Sequence, residues 1–200
     1  MNEQSKRREL TVPGPMIPPV PAILTTVKGE AGVQDEISVL WTFITNGKPA
    51  QIGVTADKSE HFAEKLIKRH GEFVLNVMTI EYTLPFDKVD MNSSAPGDKF
   101  AISGLTRGTA SKIDSPTIEE AVIQLECKVT QSVDLPPNRT LFLADVIVTS
   151  VLEGVCDENE RLIVESTPFF GMTAGSGEFY TMGKMVGHIG ETVGRDDIKY

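Results

Sequence analysis

The sequence predicts one mostly β domain with a few short helices. Three observations predict it: the apolar runs are short and rich in β-branched or aromatic residues, glycine and proline separate them, and a single clear helical pattern interrupts them. The 200 residues (21.8 kDa) fit one large domain or two small ones, and 40 % of them are hydrophobic. With no internal repeat and no interior linker in the pattern, we expect a single domain with a core of ordinary size.

Residues 1–20 are predicted to form an extended arm and residues 21–200 the folded domain. The first ten residues, MNEQSKRREL, are mostly polar, and five prolines follow between Pro13 and Pro21. Prolines at this density stiffen the chain and exclude both a membrane helix and the apolar core of a signal peptide. We therefore expect a protein that stays in the cytoplasm.

Six apolar runs predict the strands of the domain. Glycines and Pro49 separate the first three runs, a spacing that is typical of an antiparallel meander. The six runs are Ala22–Val27, Ile37–Ile44, Gln51–Thr55, Phe73–Met78, Leu125–Val133 and Leu141–Leu152.

One helix is predicted between the third and fourth strands. Asp57 and Glu60 match a capping box, and Gly71 ends the pattern. The apolar stripe between them consists of Phe62, Ala63, Leu66 and Ile67. A second, shorter helix is expected to begin at Ser115-Pro116, because serine caps well and proline suits the first turn. A third is expected from Glu178 to His188.

The charge and the cysteine content exclude several classes of protein. Acidic residues number 28 and basic residues 19, which gives a net charge of −9 and a pI of about 4.9. Such a chain does not hold nucleic acid or an anionic membrane by general attraction, although a local basic pocket for a phosphate stays open. The two cysteines, Cys127 and Cys156, form no CxxC pair, which excludes a zinc ribbon and a disulfide-dense scaffold. We expect both thiols to be reduced.

No established catalytic motif is present, and we predict no catalytic side chain and no metal site. The chain lacks the GxSxG elbow, the P-loop, HExxH and the dinucleotide GxGxxG pattern. Its three histidines form no HxH or HxxxH pair. The glycine-rich stretch Gly171–Gly177 is either a plain loop, which is the favoured interpretation, or a phosphate cradle.

The turn before the predicted helix is the strongest candidate for an anion site. Free backbone N–H groups and the helix dipole point at whatever lies there, and Lys58, Ser59 and His61 add donors. Asp57 and Glu60 add negative charge at the same place, so the alternative is a turn capped by its own side chains.

Six short sequence motifs, in the same order along the chain, resemble those of a known family. From about Pro18 onward it resembles the flavin reductase-like proteins, an FMN-binding split-barrel family that includes flavoredoxin. The phrases GEFVLN and DKF are the sharpest of the six. The stretches are Pro21–Val27, Ile37–Phe43, Gly71–Val77, Gly97–Leu105, Pro116–Cys127 and Gly177–Gly183.

The resemblance implies an antiparallel Greek-key split β-barrel with a few short helices, working as a homodimer. It implies FMN, or less often FAD, at the dimer interface, with NADH or NADPH as the electron donor. By analogy, the isoalloxazine ring lies near Val39, Leu40, Trp41, Thr42 and Phe43. The phosphate lies near Ala56, Asp57, Lys58, Ser59 and His61, and the site is flanked by Asn76, Lys99 and Phe100.

The chain departs from the family pattern at several positions. His61 and Ala63 stand where relatives often have an arginine and a threonine, and Arg139 stands where many have a histidine. Gln34 or Asp35 stands where an asparagine often precedes the second strand.

Each proposed ring neighbour also has an ordinary structural explanation. Trp41 has apolar neighbours and fits a packed core as well as a flavin contact. Backbone groups satisfy a buried Asn76 as readily as a flavin does, and Lys99 is by default a solvated charge.

Three functions fit these observations. The leading hypothesis is an FMN-dependent oxidoreductase that takes hydride from NAD(P)H and passes it to a small-molecule acceptor. Because the cofactor supplies the reactivity, such an enzyme needs no acid–base pair. The alternatives are a flavoredoxin-like carrier that exchanges electrons with partner proteins, and a non-enzymatic split barrel that holds flavin or haem.

Overall fold

The computed structural model describes residues 9–17, 19–58, 62–93, 97–174 and 176–194, most of which surround a seven-stranded antiparallel sheet. The strands are β1 Val20–Pro21, β2 Ile23–Val27, β3 Glu36–Val39, β4 Trp41–Asn46, β5 Gln51–Asp57, β6 Glu72–Val77, β7 Arg107–Gly108, β8 Thr117–Ile118, β9 Ile123–Leu135, β10 Arg139–Val151, β11 Phe170–Met172 and β12 Phe179–Thr181. The helices are α1 Phe62–His70, α2 Thr83–Met91 and α3 Lys99–Ser103, with 3₁₀ turns at Ile80–Tyr82 and Glu191–Val193.

The strand order of the main sheet closes it into a split barrel. The order is β3-β2-β6-β9-β10-β5-β4, and every pairing is antiparallel. The two edge strands, β3 and β4, are consecutive in the chain, and only Leu40 lies between them. Because one short run of chain supplies both edges, the sheet curls until they meet. This confirms the predicted fold class of a mainly β, antiparallel split barrel with few short helices.

The barrel interior is apolar, and α1 packs into it. Alternation along β5 and β10 sends Val54 and Phe142 inward, and both are fully buried. The predicted stripe of α1 packs on the same core through Ala63, Leu66 and Ile67. The Thr140 hydroxyl donates to Glu64 Oε1 at 2.7 Å and so fixes α1 on β10.

A second core lies between α2, α3 and the other face of β2 and β3. Three rings, those of Phe86, Phe170 and Phe179, meet edge to face there with centroids 5.5–5.7 Å apart. They join β11 and β12 to α2. The strands β11 and β12 are thereby held against α2.

Two carboxylates hold the 109–116 loop. Glu126 accepts the N–H groups of Ser111 and Lys112, at 2.7 and 2.8 Å, and the Ser111 hydroxyl at 2.8 Å. Glu72 Oε1 accepts the N–H groups of Asp114 and Ser115 at 2.7 and 2.9 Å. Ser115 is therefore bound to β6 and caps no helix, and the short strand β8 follows it. The helix predicted to begin at Ser115-Pro116 is wrong.

The other predicted elements are largely confirmed. All six predicted strands exist, although Ile37–Ile44 is divided at Leu40. The helix predicted from Glu178 to His188 is wrong, because Phe179–Thr181 pairs with β11 as a strand. Helices α2 and α3 were not predicted.

The described part of the arm is exposed from residue 9 to residue 17. Regular pairing starts at Val20, which lies opposite Met172 in β11. Among the described residues, no helix is long and apolar enough to cross a membrane.

Candidate functional site

Two aromatic side chains of β4 face outward on the barrel. Leu40 and Thr42 point inward, and the Thr42 hydroxyl donates to the Leu40 carbonyl at 3.0 Å. Because side chains alternate along a strand, Trp41 and Phe43 lie on the opposite face, where 37 % and 45 % of their surface stays exposed. Trp41 is thus neither a core residue nor fully solvated.

The Phe43 ring lies directly on Gly53 of β5. The two residues are cross-strand partners, and a Cβ built on Gly53 would collide with three carbon atoms of the ring. The ring can occupy this position only because Gly53 has no side chain.

An apolar groove runs along Trp41, Phe43 and the proline arm. Its volume is about 670 Å³. We call it the arm groove, and it is lined by Pro15, Ile17, Pro19, Val20, Pro21, Trp41, Thr42, Phe43, Ile44 and Ala174. The arm groove offers a flat aromatic wall and almost no charge, which suits a planar ring system.

A smaller and more polar cavity lies next to the arm groove. Its volume is about 430 Å³, and Trp41 borders both spaces. We call it the Arg139 cavity, and it is lined by Val39, Trp41, Asp90, Arg139, Met172, Thr173, Ser176 and Gly177. Val39, expected near a flavin ring, thus lies in this cavity.

The predicted anion turn follows β5, and its described part carries paired charges. Ala56 is buried, and the Asp57 carboxylate accepts a hydrogen bond from Asn138 Nδ2 at 2.7 Å. The Lys58 ammonium pairs with Asp134 at 2.9 Å, and this hydrogen bond holds the pKa of Asp134 below its usual value. Ser59 and His61 lie outside the described residues. The helix α1 begins at Phe62, and the N–H groups of its first turn have no acceptor within the helix.

The Asn76 side chain has a structural role, because its amide is hydrogen-bonded within the protein. The side chain is fully buried in β6, and Nδ2 donates to the Leu24 carbonyl and the Thr26 hydroxyl at 3.1 and 3.0 Å. Its Oδ1 accepts the N–H of Ile118 at 2.9 Å. Asn76 thereby joins β2, β6 and β8, and it lines neither the arm groove nor the Arg139 cavity.

Lys99 and Phe100 also lie away from these two spaces. Lys99, only 1 % exposed, forms an ion pair with Glu36 and donates to the Ser93 carbonyl at 2.8 Å. Burial raises the pKa of Glu36, and the Lys99 ammonium partly offsets that rise. Phe100 is buried in the second core, with the Arg107 guanidinium 4.5 Å from its ring centre. The expectation that Lys99 is a solvated charge is wrong.

The thiols and acidic groups of the described residues form no disulfide and no metal cluster. Both cysteines are free, and burial raises the pKa of the Cys127 thiol to about 12. Within the part of the chain that the structure describes, no three His, Cys, Asp or Glu side chains are grouped as metal ligands.

Sequence reasoning missed the second wall of the site. Asp90 borders the Arg139 cavity together with Met172, Thr173, Ser176 and Gly177, and the arm prolines border the arm groove. The glycine-rich composition of 171–177 marked a loop, but only the packing of β11 on α2 places that loop opposite Trp41.

Comparison with known proteins identifies the family. The model of the flavin reductase like domain matches residues 16–164. An uncharacterized protein of Archaeoglobus fulgidus is 30 % identical over 142 residues, which cover 69 % of this chain and 79 % of that protein.

Two solved structures share the fold over nearly the whole chain. Flavoredoxin of Desulfovibrio vulgaris is 20 % identical with a TM-score of 0.83, covering 92 % of this chain and 97 % of that one. Flavoredoxin from Methanosarcina acetivorans is 19 % identical with a TM-score of 0.80, covering 94 % of this chain and 100 % of that one.

Proposed function

Because the chain belongs to the flavin reductase like domain family, we propose that it binds FMN and passes hydride or electrons from NADH or NADPH, through the flavin, to an acceptor. The observation that carries the proposal is the apolar groove walled by Trp41 and Phe43, and the donor residues of the turn before α1 support it.

The arm groove fits the isoalloxazine ring. Trp41 and Phe43 present aromatic surface, and the arm prolines face them across the groove. Stacking of this kind contributes about 0.5–1.5 kcal/mol for each aromatic pair beyond the burial of its area. The groove side chains would therefore orient the ring and exclude water from one of its faces.

The turn before α1 fits the phosphate. Lys58, Ser59 and His61 supply donors, and the first N–H groups of α1 add to them. Asp57 and Asp134 oppose an anion, but the first accepts a hydrogen bond from Asn138 and the second is paired with Lys58. We propose FMN over FAD because the turn offers donors for one terminal phosphate and the chain has no fingerprint for an adenine half.

The residues of the chain need only bind the flavin and orient its ring. When bound, the flavin supplies the chemistry of accepting and releasing hydride. Phe43 lies against Gly53, and the pairing of β4 with β5 holds the backbone that carries both Trp41 and Phe43 in place before any ligand arrives. No acid–base pair is required of the protein.

An absorption spectrum and an anaerobic mixing experiment test this function. The purified protein, with added FMN where needed, is expected to show a bound flavin spectrum. Trp41 is the only tryptophan, so FMN in the arm groove is expected to quench the intrinsic tryptophan fluorescence. Rapid bleaching of the visible absorption by NADH or NADPH supports the reductase. A protein that takes up no flavin contradicts the proposal.

A flavoredoxin-like electron carrier is the second candidate. The similarity in fold to two flavoredoxins over more than nine-tenths of this chain supports it. A bound flavin that stays oxidised with NADH and NADPH, yet is reduced by a redox partner protein, would favour the carrier over the reductase.

A further inference from the structure

We propose that the Arg139 cavity binds a small planar organic acid that carries a hydrogen-bond donor on the side opposite its carboxylate. This binding does not depend on the flavin chemistry proposed above. Four observations carry it: the place of the cavity, its single cation, its acceptors and its size.

The cavity lies over the split of the barrel. Val39 and Trp41 are the residues on either side of Leu40, so their side chains border the cavity where the two sheet edges meet. Met172 of β11 borders the same space. These three side chains provide an apolar lining with an indole in it, which favours a flat ring.

Arg139 supplies the cation. It opens β10 opposite Asp57, the last residue of β5, and its guanidinium lies 4.0 Å from Asp57 Oδ2. That distance is too long for a hydrogen bond, and Asn138 holds the same oxygen at 2.7 Å. The carboxylate therefore orients the guanidinium without using its paired N–H groups, which match a carboxylate in two-point geometry.

The opposite wall supplies acceptors. The hydroxyls of Thr173 and Ser176 both donate to the Glu178 carboxylate, the first at 2.8 Å. The two hydroxyl oxygens also lie 2.6 Å apart, so one of them can accept from the other, and the Ser176 oxygen keeps at least one lone pair for a donor on a ligand. The carboxylate of Asp90 borders the same cavity. A second negative charge on the ligand would be repelled there.

The size of the cavity limits the ligand to about one ring. At about 430 Å³ it is at the lower end of ligand pockets, which span roughly 300–1,000 Å³. A complete dinucleotide does not fit, whereas a monocyclic acid does.

The test uses 4-aminobenzoate as the probe, with benzoate and aniline as partial probes. Calorimetry measures affinity, and the single indole N–H signal of Trp41 in an NMR spectrum reports the place of binding. We expect 4-aminobenzoate to bind and to shift the indole signal, and each partial probe to bind at least about tenfold more weakly, because each lacks one charged or polar contact.

Two variants and a matched control complete the test. Arg139→Gln is expected to lower the affinity for 4-aminobenzoate at least about tenfold. Arg139→Lys is expected to lower it less, because lysine keeps the positive charge but cannot donate two parallel hydrogen bonds to a carboxylate. Lys128→Gln removes the same charge from an exposed site on β9 that borders neither cavity, and it is expected to have no effect. Thermal unfolding shows whether each variant is folded.

Three outcomes would overturn the proposal. The first is no binding of 4-aminobenzoate to the folded wild-type protein. The second is equal binding by the wild type and Arg139→Gln. The third is a loss of FMN affinity, but not of riboflavin affinity, in Arg139→Gln without any binding of the acid, which would make Arg139 a phosphate ligand. Failure to bind flavin, with the acid still bound through Arg139, would contradict only the proposed function.

Discussion

Gly53 controls the position of Phe43, and its replacement tests whether that ring serves the flavin. In Gly53→Ala the new methyl group would displace the ring, whose far end is half exposed and free to move. We expect the free energy of unfolding to change by less than about 1 kcal/mol, because alanine also restricts the unfolded chain. We expect FMN binding to weaken by about 1 kcal/mol, through the lost aromatic contact. Flavin titration and denaturant unfolding measure the two effects.

Gly183→Ala is the matched control for this substitution. A Cβ at position 183 meets no atom within 4 Å, so this variant is expected to bind FMN as the wild type does. Unchanged FMN affinity in Gly53→Ala would remove Phe43 from the flavin site.

The phosphate turn makes a second prediction at the level of single residues. Ser59→Ala combined with His61→Ala is expected to weaken FMN binding, because hydrogen bonds to a charged group contribute about 1.5–3 kcal/mol each. Riboflavin, which lacks the phosphate, is expected to bind both proteins equally. Titration of each protein with both flavins measures the difference, and an equal loss for FMN and riboflavin would place the phosphate elsewhere.

Asn76 illustrates what residue type alone leaves open. A polar residue inside an apolar strand must find partners, but its sequence does not say which. The partners of Asn76, Thr26 and Ile118 among them, come from strands far apart in the chain. The burial of Lys99 likewise could not be predicted from nearby residues, because its partner Glu36 lies 63 positions away in the chain.

At the level of elements, the 109–116 loop is expected to respond to pH. Burial raises the pKa of Glu126, but the hydrogen bonds from Ser111 and Lys112 outweigh it, and the pKa lies below its ordinary value. A lowered pKa means that ionised Glu126 stabilises the fold above its unfolded pKa of about 4.3 and loses this contribution as the pH falls.

Glu126→Gln is expected to lower the free energy of unfolding at pH 7 by about 1–3 kcal/mol, because hydrogen bonds to a charged acceptor are replaced by weaker ones. The difference from the wild type is expected to shrink between pH 5 and pH 3, which denaturant unfolding across that range measures. Glu158→Gln, at an exposed position, is the control. A difference that grows toward low pH would contradict this account of the loop.

Local signals predicted some elements and missed others. The helix α1 was predicted from its apolar spacing and its final glycine, whereas Asp57, predicted to cap it, is the last residue of β5 and accepts a hydrogen bond from Asn138. Helix α3 carries similar signals, since Asp98 accepts the N–H groups of Phe100 and Ala101 and Gly104 ends the helix at a φ of +78°. Its length of five residues is too short for a periodic pattern. Neither of the helices predicted at Ser115-Pro116 and at Glu178–His188 forms. Glu72 binds the backbone at Ser115, and Phe179–Thr181 pairs with β11 as a strand.

At the level of the whole molecule, the outward face of the barrel predicts a homodimer. Cross-strand pairing places Trp41, Thr55 and Leu141 in one row, with Phe43, Gly53 and Leu143 in the next. These rows form a largely apolar band across three strands, and the arm adds exposed Met16 and Ile17 near it. A two-fold pairing of such bands would close the interface and is the commonest arrangement of homo-oligomers.

Light scattering at micromolar concentration is expected to give about twice the chain mass of 21.8 kDa, with or without FMN. Leu143→Lys would place a charge in the band and is expected to shift the protein toward the monomer. A wild-type monomer that still binds FMN tightly would show that one chain builds the whole site.

The fold as a whole was more predictable than the site. Strand runs and family phrases are local in sequence, so the split barrel could be predicted from them. The Arg139 cavity unites residues from β3, β4, α2, β10 and the segment after β11, which no spacing rule connects. Its existence depends on how the sheet curls.

The single-residue connection at Leu40 has a consequence for motion. Edge strands in most open sheets fray independently, each with its own local opening. Here the two edges share one backbone run, so detaching β3 from β2 pulls on β4, and loss of β4 pulls on β3. We therefore expect the barrel seam to open as one cooperative unit, so that hydrogen exchange gives a similar opening free energy for the amides of both strands.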